Sequence, residues 1–250
     1  MRAVLLPVVA AQAVWVRRTT PQLPEAAGPD VGVAGGPGEP ELRIGVVGES
    51  TAAGVGVTLH EHGIAGSIAR EVATAQGCPV AWRAVGQTGA TLRRIRHRLS
   101  HRLPGDLDLA VLLAGVNDVL ARRGPTDWAT DLTGALDHLS AVNRRVVVTG
   151  VPPFTSFPAL PRLLATYLDQ QAVALDEASQ RVCAAYPDVS WIGSRDLLTD
   201  SARMFASDGF HPSAEGYRRW ARAISTTLHD GSASPASPRP ADTETTSDGH

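Results

Sequence analysis

Leu42-Arg43-Ile44-Gly45-Val46-Val47-Gly48 runs directly into Glu49-Ser50-Thr51-Ala52-Ala53-Gly54. The first seven residues form a short apolar run, the pattern of a strand buried on both faces of a parallel sheet. The residues after Glu49 are small, so a serine can project from a tight turn where that strand ends. The segment lacks the G-x-G-x-x-G spacing of a dinucleotide loop, because no glycine stands two positions after Gly48. Nor does it complete the G-x-S-x-G elbow: Gly48 holds the first glycine position, but Ala52 stands at the second.

Working outward, apolar strand runs recur at 80–85, 107–114, 145–151 and 189–192. Helix-spaced segments lie between and after them at 63–75, 92–103, 127–142, 160–186 and 213–228. Ile64, Ile68 and Val72 mark one buried helix face, and Leu132, Leu136 and Leu139 another. Alternation of this kind predicts parallel βαβ units with right-handed crossovers and helices on both faces of the sheet. The expected fold is an α/β, three-layer α/β/α sandwich around a five-stranded parallel sheet. Ligands of such sheets bind at the carboxyl ends of the strands.

The ends of the chain differ from this middle. Residues 1–40 combine an apolar run of fourteen, Ala3–Val16, with a Pro- and Gly-rich segment from Pro21 to Pro40. The run is too short to span a bilayer comfortably. Three readings stand open: a signal h-region after Arg2, an interfacial helix giving peripheral membrane contact through residues 3–16, or a helix packed on the domain. Cytoplasmic, membrane-associated and secreted locations therefore all remain. The Pro- and Gly-rich stretch reads as a linker or an ordered surface arm. The main α/β domain is expected over 41–229. The tail 230–250 has no large apolar residue and is expected to be disordered.

Composition excludes several chemistries. All 23 basic residues are arginine. A Walker-type phosphate loop, a Schiff-base lysine and a Ser-Lys dyad are thus ruled out. A net charge of −2 gives no reason to expect a nucleic-acid partner. The two cysteines, Cys78 and Cys183, read as small buried or semi-buried thiols. Among the eight histidines, His60 and His62 flank Glu61 without clear further metal partners, so no metal site is expected.

Three further segments stand at expected strand ends or in the last loop. Gly86-Gln87-Thr88-Gly89-Ala90-Thr91 follows the second strand, and glycines there can expose amide N–H groups. Gly115-Val116-Asn117-Asp118 follows the third; its Asn117 can aim an amide at a site or cap the next helix. Ser207-Asp208-Gly209-Phe210-His211-Pro212 precedes the last helix. There a carboxylate three residues before an imidazole can fix its tautomer and leave the other nitrogen free as a base.

In this order, GESTAAG, VGQTGAT, GVND and DGFHPS resemble the four blocks of the SGNH hydrolases, also called GDSL-type esterases or lipases. The resemblance spans about Leu42 to Leu228. It implies a flavodoxin-like fold and ester hydrolysis without a cofactor or metal. Ser50 would be the nucleophile, His211 its base and Asp208 the group orienting His211. The N–H groups of Ser50 and Gly89 and the Asn117 amide would hold the oxyanion. Glu49 departs from the family's usual Asp, a position that shapes the turn.

The substrate implied by the resemblance is a small-molecule or lipid-like ester. A small-acyl carboxylesterase or lysophospholipase-like activity leads, with a carbohydrate O-acetyl esterase as the alternative and a non-catalytic binding module as the other class. Phe154 and Phe157, after the fourth strand, either line an acyl pocket or cover the sheet end as core.

Overall fold

The computed structural model describes residues 6–195 and 201–230. Helix α1 (Leu6–Thr19) is followed by strand β1 (Val31–Ala34), β2 (Leu42–Gly48), helix α2 (Ile64–Gln76) and β3 (Val80–Gly86). The Arg-rich segment opens with α3 (Leu92–Arg94), continues as a π-helical turn (Ile95–Leu99) and ends in a 3-10 turn (Ser100–Arg102). Then come β4 (Leu109–Leu113), α4 (Val116–Leu120), α5 (Pro125–Val142), β5 (Val146–Thr149), α6 (Arg162–Cys183), β6 (Val189–Ile192), α7 (Ser201–Met204) and α8 (Ala214–Asp230).

The strands form one sheet in the order β1-β3-β2-β4-β5-β6, with β2 to β6 all parallel. Side-chain alternation divides the core between two faces. Ala110 and Leu112 of β4 face a cluster with Leu92, Ile95, Leu132, Leu136 and Leu168. Leu109, Val111 and Leu113 face the other cluster, with Ile64, Ile68, Tyr217 and Ile224. Helices therefore cover both faces, and the central strands must be apolar throughout, as the sequence indicates.

The sheet has six strands where five were expected, and the sixth is antiparallel. β1 pairs with β3 from Val31↔Arg83 to Ala34↔Val80. Its apolar residues do not mark it, because Val31 and Val33 are exposed and only Ala34 is buried. Backbone pairing to an open sheet edge holds it in place, and periodicity cannot register that. The preceding residues touch the first loop: Ala26 N–H donates to Ala53 O, and Glu25 accepts the Thr88 N–H.

α1 inserts Val9 into the core, and its Gln12 side chain accepts the N–H of Leu164. Leu6, Val8, Val14 and Trp15 of the same helix are exposed. No described helix is long and apolar enough to cross a membrane. The expectation for the tail after Asp230 lies outside the described residues, as do Ala3 to Leu5 of the apolar run.

What positions the site is register. Gly48 of β2 pairs with both Gly86 of β3 and Leu113 of β4, so the three strands end level. The loops at 49–53, 87–91 and 114–118 consequently meet at one carboxyl edge.

Candidate active site

Ser50 is the second residue after β2, 8% exposed, on a turn closed by Ala52 and Ala53 N–H groups donating to Glu49 O. A close neighbour shapes this turn: a Cβ on Gly86 would collide with Ala53 N, so only glycine lets the loop after β3 pass so near.

His211 reaches Ser50 across the sheet end. Its Nε2 is 2.9 Å from Ser50 Oγ, and its Nδ1 is 2.6 Å from Asp208 Oδ2. The other carboxylate oxygen of Asp208 accepts the N–H groups of Phe210 and His211, at 2.9 and 3.0 Å. Burial alone would raise the Asp208 carboxyl. The hydrogen bonds from the His211 ring and from the two backbone N–H groups outweigh it and hold the carboxyl below its usual range. Asp208 is therefore ionised and faces the ring nitrogen that must carry a proton.

The loop bearing the pair is fastened on both sides. Ala206 N–H donates to His211 O, and Ser213 caps α8 by accepting the Gly216 N–H. The Tyr217 hydroxyl, one turn into α8, donates to Val55 O at 2.7 Å, tying this helix to the segment after the nucleophile.

Gly89 lies in the left-handed region, φ +77°, on the exposed loop after β3. Asn117 stands in the first turn of α4. Its Nδ2 donates to Glu49 Oε2 at 2.7 Å and to Ala90 O at 3.2 Å. Glu49 also accepts the backbone N–H of Asn117 and of Val116. Burial pushes the Glu49 carboxyl up to about 7, against the lowering effect of these hydrogen bonds. Asp118 accepts the Leu92 N–H and pairs with Arg123, which joins the loop after β4 to the start of α3. Burial pushes its carboxyl up to about 6, again against those partners.

Two concave surfaces open near these strand ends. Ser50 and His211 line a cavity of about 40 Å³. Pro152, Phe157, Met204, Phe205, Phe210 and Trp220 contribute to its wall. Phe157 stacks at 4.9–5.4 Å centroid distance on Phe154, Phe205 and Phe210. Phe154 is fully buried behind Phe157 and does not line the cavity. Phe205 and Phe210 do line it; sequence reasoning does not single them out, although Phe210 sits inside the Asp-x-x-His block. A second, open groove, reaching Gly89 but not lined by Ser50, runs from Gln87, Gly89 and Thr91 along the Arg-rich segment. Arg93, Arg94, Arg98 and Arg102 line it, together with His97, and no carboxylate does.

Among the described residues, no three His, Cys, Asp or Glu side chains converge as a metal site. Cys78 and Cys183 are free thiols.

Comparison with known proteins bears on this arrangement. The model of the GDSL-like lipase/acylhydrolase family matches residues 46–219. A GDSL-like esterase of Mycobacterium tuberculosis is 26% identical over 197 residues, covering 76% of this chain. This chain spans 62% of that relative's length. A lipolytic G-D-S-L protein from Veillonella parvula superposes with a TM-score of 0.59 at 17% identity, covering 75% of this chain and 98% of that one. A family 3 carbohydrate esterase from Clostridium thermocellum gives 0.58 at 19% identity, covering 76% and 96%. A lipase/acylhydrolase from Enterococcus faecalis gives the same values. At these identities the structural likenesses speak for the fold alone.

Proposed function

The chain belongs to the GDSL-like lipase/acylhydrolase family, and from that premise we propose that it hydrolyses esters of short acyl groups through a Ser50-His211-Asp208 triad. The observation that carries the proposal is the continuous hydrogen-bonded line from Ser50 Oγ through the His211 ring to Asp208, at 2.9 and 2.6 Å.

On this reading Ser50 Oγ attacks the acyl carbonyl carbon while His211 Nε2 takes its proton. The tetrahedral oxyanion is held by the N–H groups of Ser50 and Gly89 and by the Asn117 amide. The imidazolium, steadied by Asp208, then protonates the departing alcohol. A water attacks the acyl-enzyme by the same steps and releases the acid. Residues 41–229 would form the catalytic unit, with 1–40 as an N-terminal segment and arm and 230–250 as a tail outside it.

The acyl length follows from space. A single water needs roughly 10–15 Å³ of cavity, so about 40 Å³ takes about three water-sized groups, the bulk of a two- to four-carbon acyl chain. A carbohydrate O-acetyl esterase is the second reading. The open, polar groove beside Gly89 favours it, although the lining of that groove is basic and has no Phe, Tyr or Trp.

The test is turnover of p-nitrophenyl esters of increasing chain length, with Ser50→Ala as control. We expect kcat/KM to be highest at two to four carbons, and kcat of the variant to fall by about 10⁴ or more. Full activity in Ser50→Ala would remove the triad, and a preference for eight or more carbons would remove the short-acyl reading.

A further inference from the structure

Glu49 precedes the nucleophile yet turns away from it. Glu49 is only 4% exposed, and its carboxylate crosses to the loop after β4. There Oε1 accepts the Val116 N–H at 3.3 Å, and Oε2 accepts the Asn117 N–H at 3.1 Å and Asn117 Nδ2 at 2.7 Å. The other hydrogen of that amide goes to Ala90 O at 3.2 Å. An amide nitrogen has two hydrogens, so both are engaged.

Two consequences follow. An asparagine amide is nearly symmetric in shape, and only its partners decide which end faces which way. Here a carboxylate and a carbonyl oxygen, both pure acceptors, meet the amide on its Nδ2 end. They fix that end toward the loops bearing Ser50 and Ala90. The two bonds are also unequal, 2.7 Å to Glu49 against 3.2 Å to Ala90, and the one to Glu49 strengthens further as its carboxyl ionises, because hydrogen bonds to a charged acceptor are roughly twice as strong as neutral ones. The bond to Glu49 is the one that persists, and the longer one to Ala90 is the one that can be given up.

We propose that Glu49 is a positioning residue for the oxyanion hole. It clamps one N–H of Asn117 so that the other, resting on Ala90 O, turns to the oxyanion as charge develops there. The proposal rests on the reading of Asn117 as an oxyanion donor. It explains why a carboxylate is kept at a buried place where burial raises its pKa and the neighbouring Asp118 adds to the rise. It also gives the longer Glu side chain a task beyond the turn.

A double-mutant cycle separates positioning from bracing. Asn117→Ala should lower kcat by roughly 10²–10³ with little change in KM. Glu49→Gln keeps the volume but sets an N–H₂ group among donors. It should lower kcat by roughly 10-fold to 100-fold, again with KM nearly unchanged, because what it disturbs is a transition-state contact. In the Asn117→Ala background the same change should alter kcat by less than about 3-fold, since the clamped amide is gone. If Glu49→Gln costs the same factor in both backgrounds, Glu49 acts through the backbone N–H groups alone and the proposal fails. If Asn117→Ala keeps normal kcat, the oxyanion reading itself fails and the Glu49 proposal with it. Circular dichroism establishes that each variant is folded; should Glu49→Gln not fold, Glu49→Asp takes its place in the cycle, judged by the same criterion.

Discussion

The two flanks of the site are built from different chemistry. On one side Phe157, Phe205, Phe210, Met204 and Pro152 enclose a small apolar cavity beside His211. On the other, Gln87, Gly89 and four arginines border an open groove. The cavity comes from the loop after β5 and the segment around α7 that carries the Asp208–His211 pair. The groove comes from the loop after β3 and the irregular helix behind it. As proposed, the nucleophile Ser50 would work between a dry wall selecting by volume and, beyond Gly89, a wet wall selecting by charge and hydrogen bonding. On the proposed reading the first receives the acyl group and the second the alcohol. On that reading the fold separates catalysis from selection: the sheet edge would set the triad, and two independent loops its surroundings.

The largest expected effect tests the part both flanks share. Asp208→Asn leaves the loop's shape but removes the ionised acceptor of His211. Turnover should fall by about 10⁴, as when the corresponding charge is removed from another serine triad. Both chain-length and charge preferences should persist in the residual activity. Retention of most activity would reduce the site to a Ser50-His211 dyad and leave Asp208 as a loop residue.

A smaller effect addresses the dry wall alone. Phe157→Leu removes ring volume from a stacked cluster, at a cost of about 1 kcal/mol in stability. It should raise kcat/KM for six- to eight-carbon esters roughly 10-fold relative to acetate, through the added space. Titrating the variant with anionic and neutral alcohol esters should show no change in preference. If it shifts charge preference instead, the two flanks are not independent.

The smallest effect addresses the wet wall. Arg98→Glu reverses one exposed charge, and exposed charge interactions are worth about 1 kcal/mol or less. The ratio of kcat/KM for an ester with a phosphate-bearing alcohol to its neutral analogue should fall about 3-fold to 5-fold. The difference should largely vanish at about 1 M salt, where the screening length is near 3 Å. An unchanged ratio at low salt would make the basic groove an ordinary solvated face.

Much of the fold and of the triad is legible in the amino-acid order. The apolar run Leu42–Gly48 reads as a buried strand because a parallel sheet covered on both faces leaves no polar positions in its centre. The Asp208–His211 pair is readable because three residues suffice to bring the two groups together in one loop. By contrast β1 leaves no such mark, since an edge strand paired through its backbone has no obligatory side-chain pattern. Phe205 and Phe210 are not recognisable as cavity walls, because nothing local distinguishes a phenylalanine lining a void from one in the core.

What the sequence by itself determined, then, is everything carried by local order: alternating burial, the placing of small residues where strands end, and an acid three positions before a base. Only the tertiary structure decided which ends meet. His211 touches Ser50 from 161 residues away, and Glu49 meets the Asn117 amide across 68. Contacts at that separation depend on strand order and on β2, β3 and β4 ending level. Those are properties of how whole faces pack, and no short window of residues contains them.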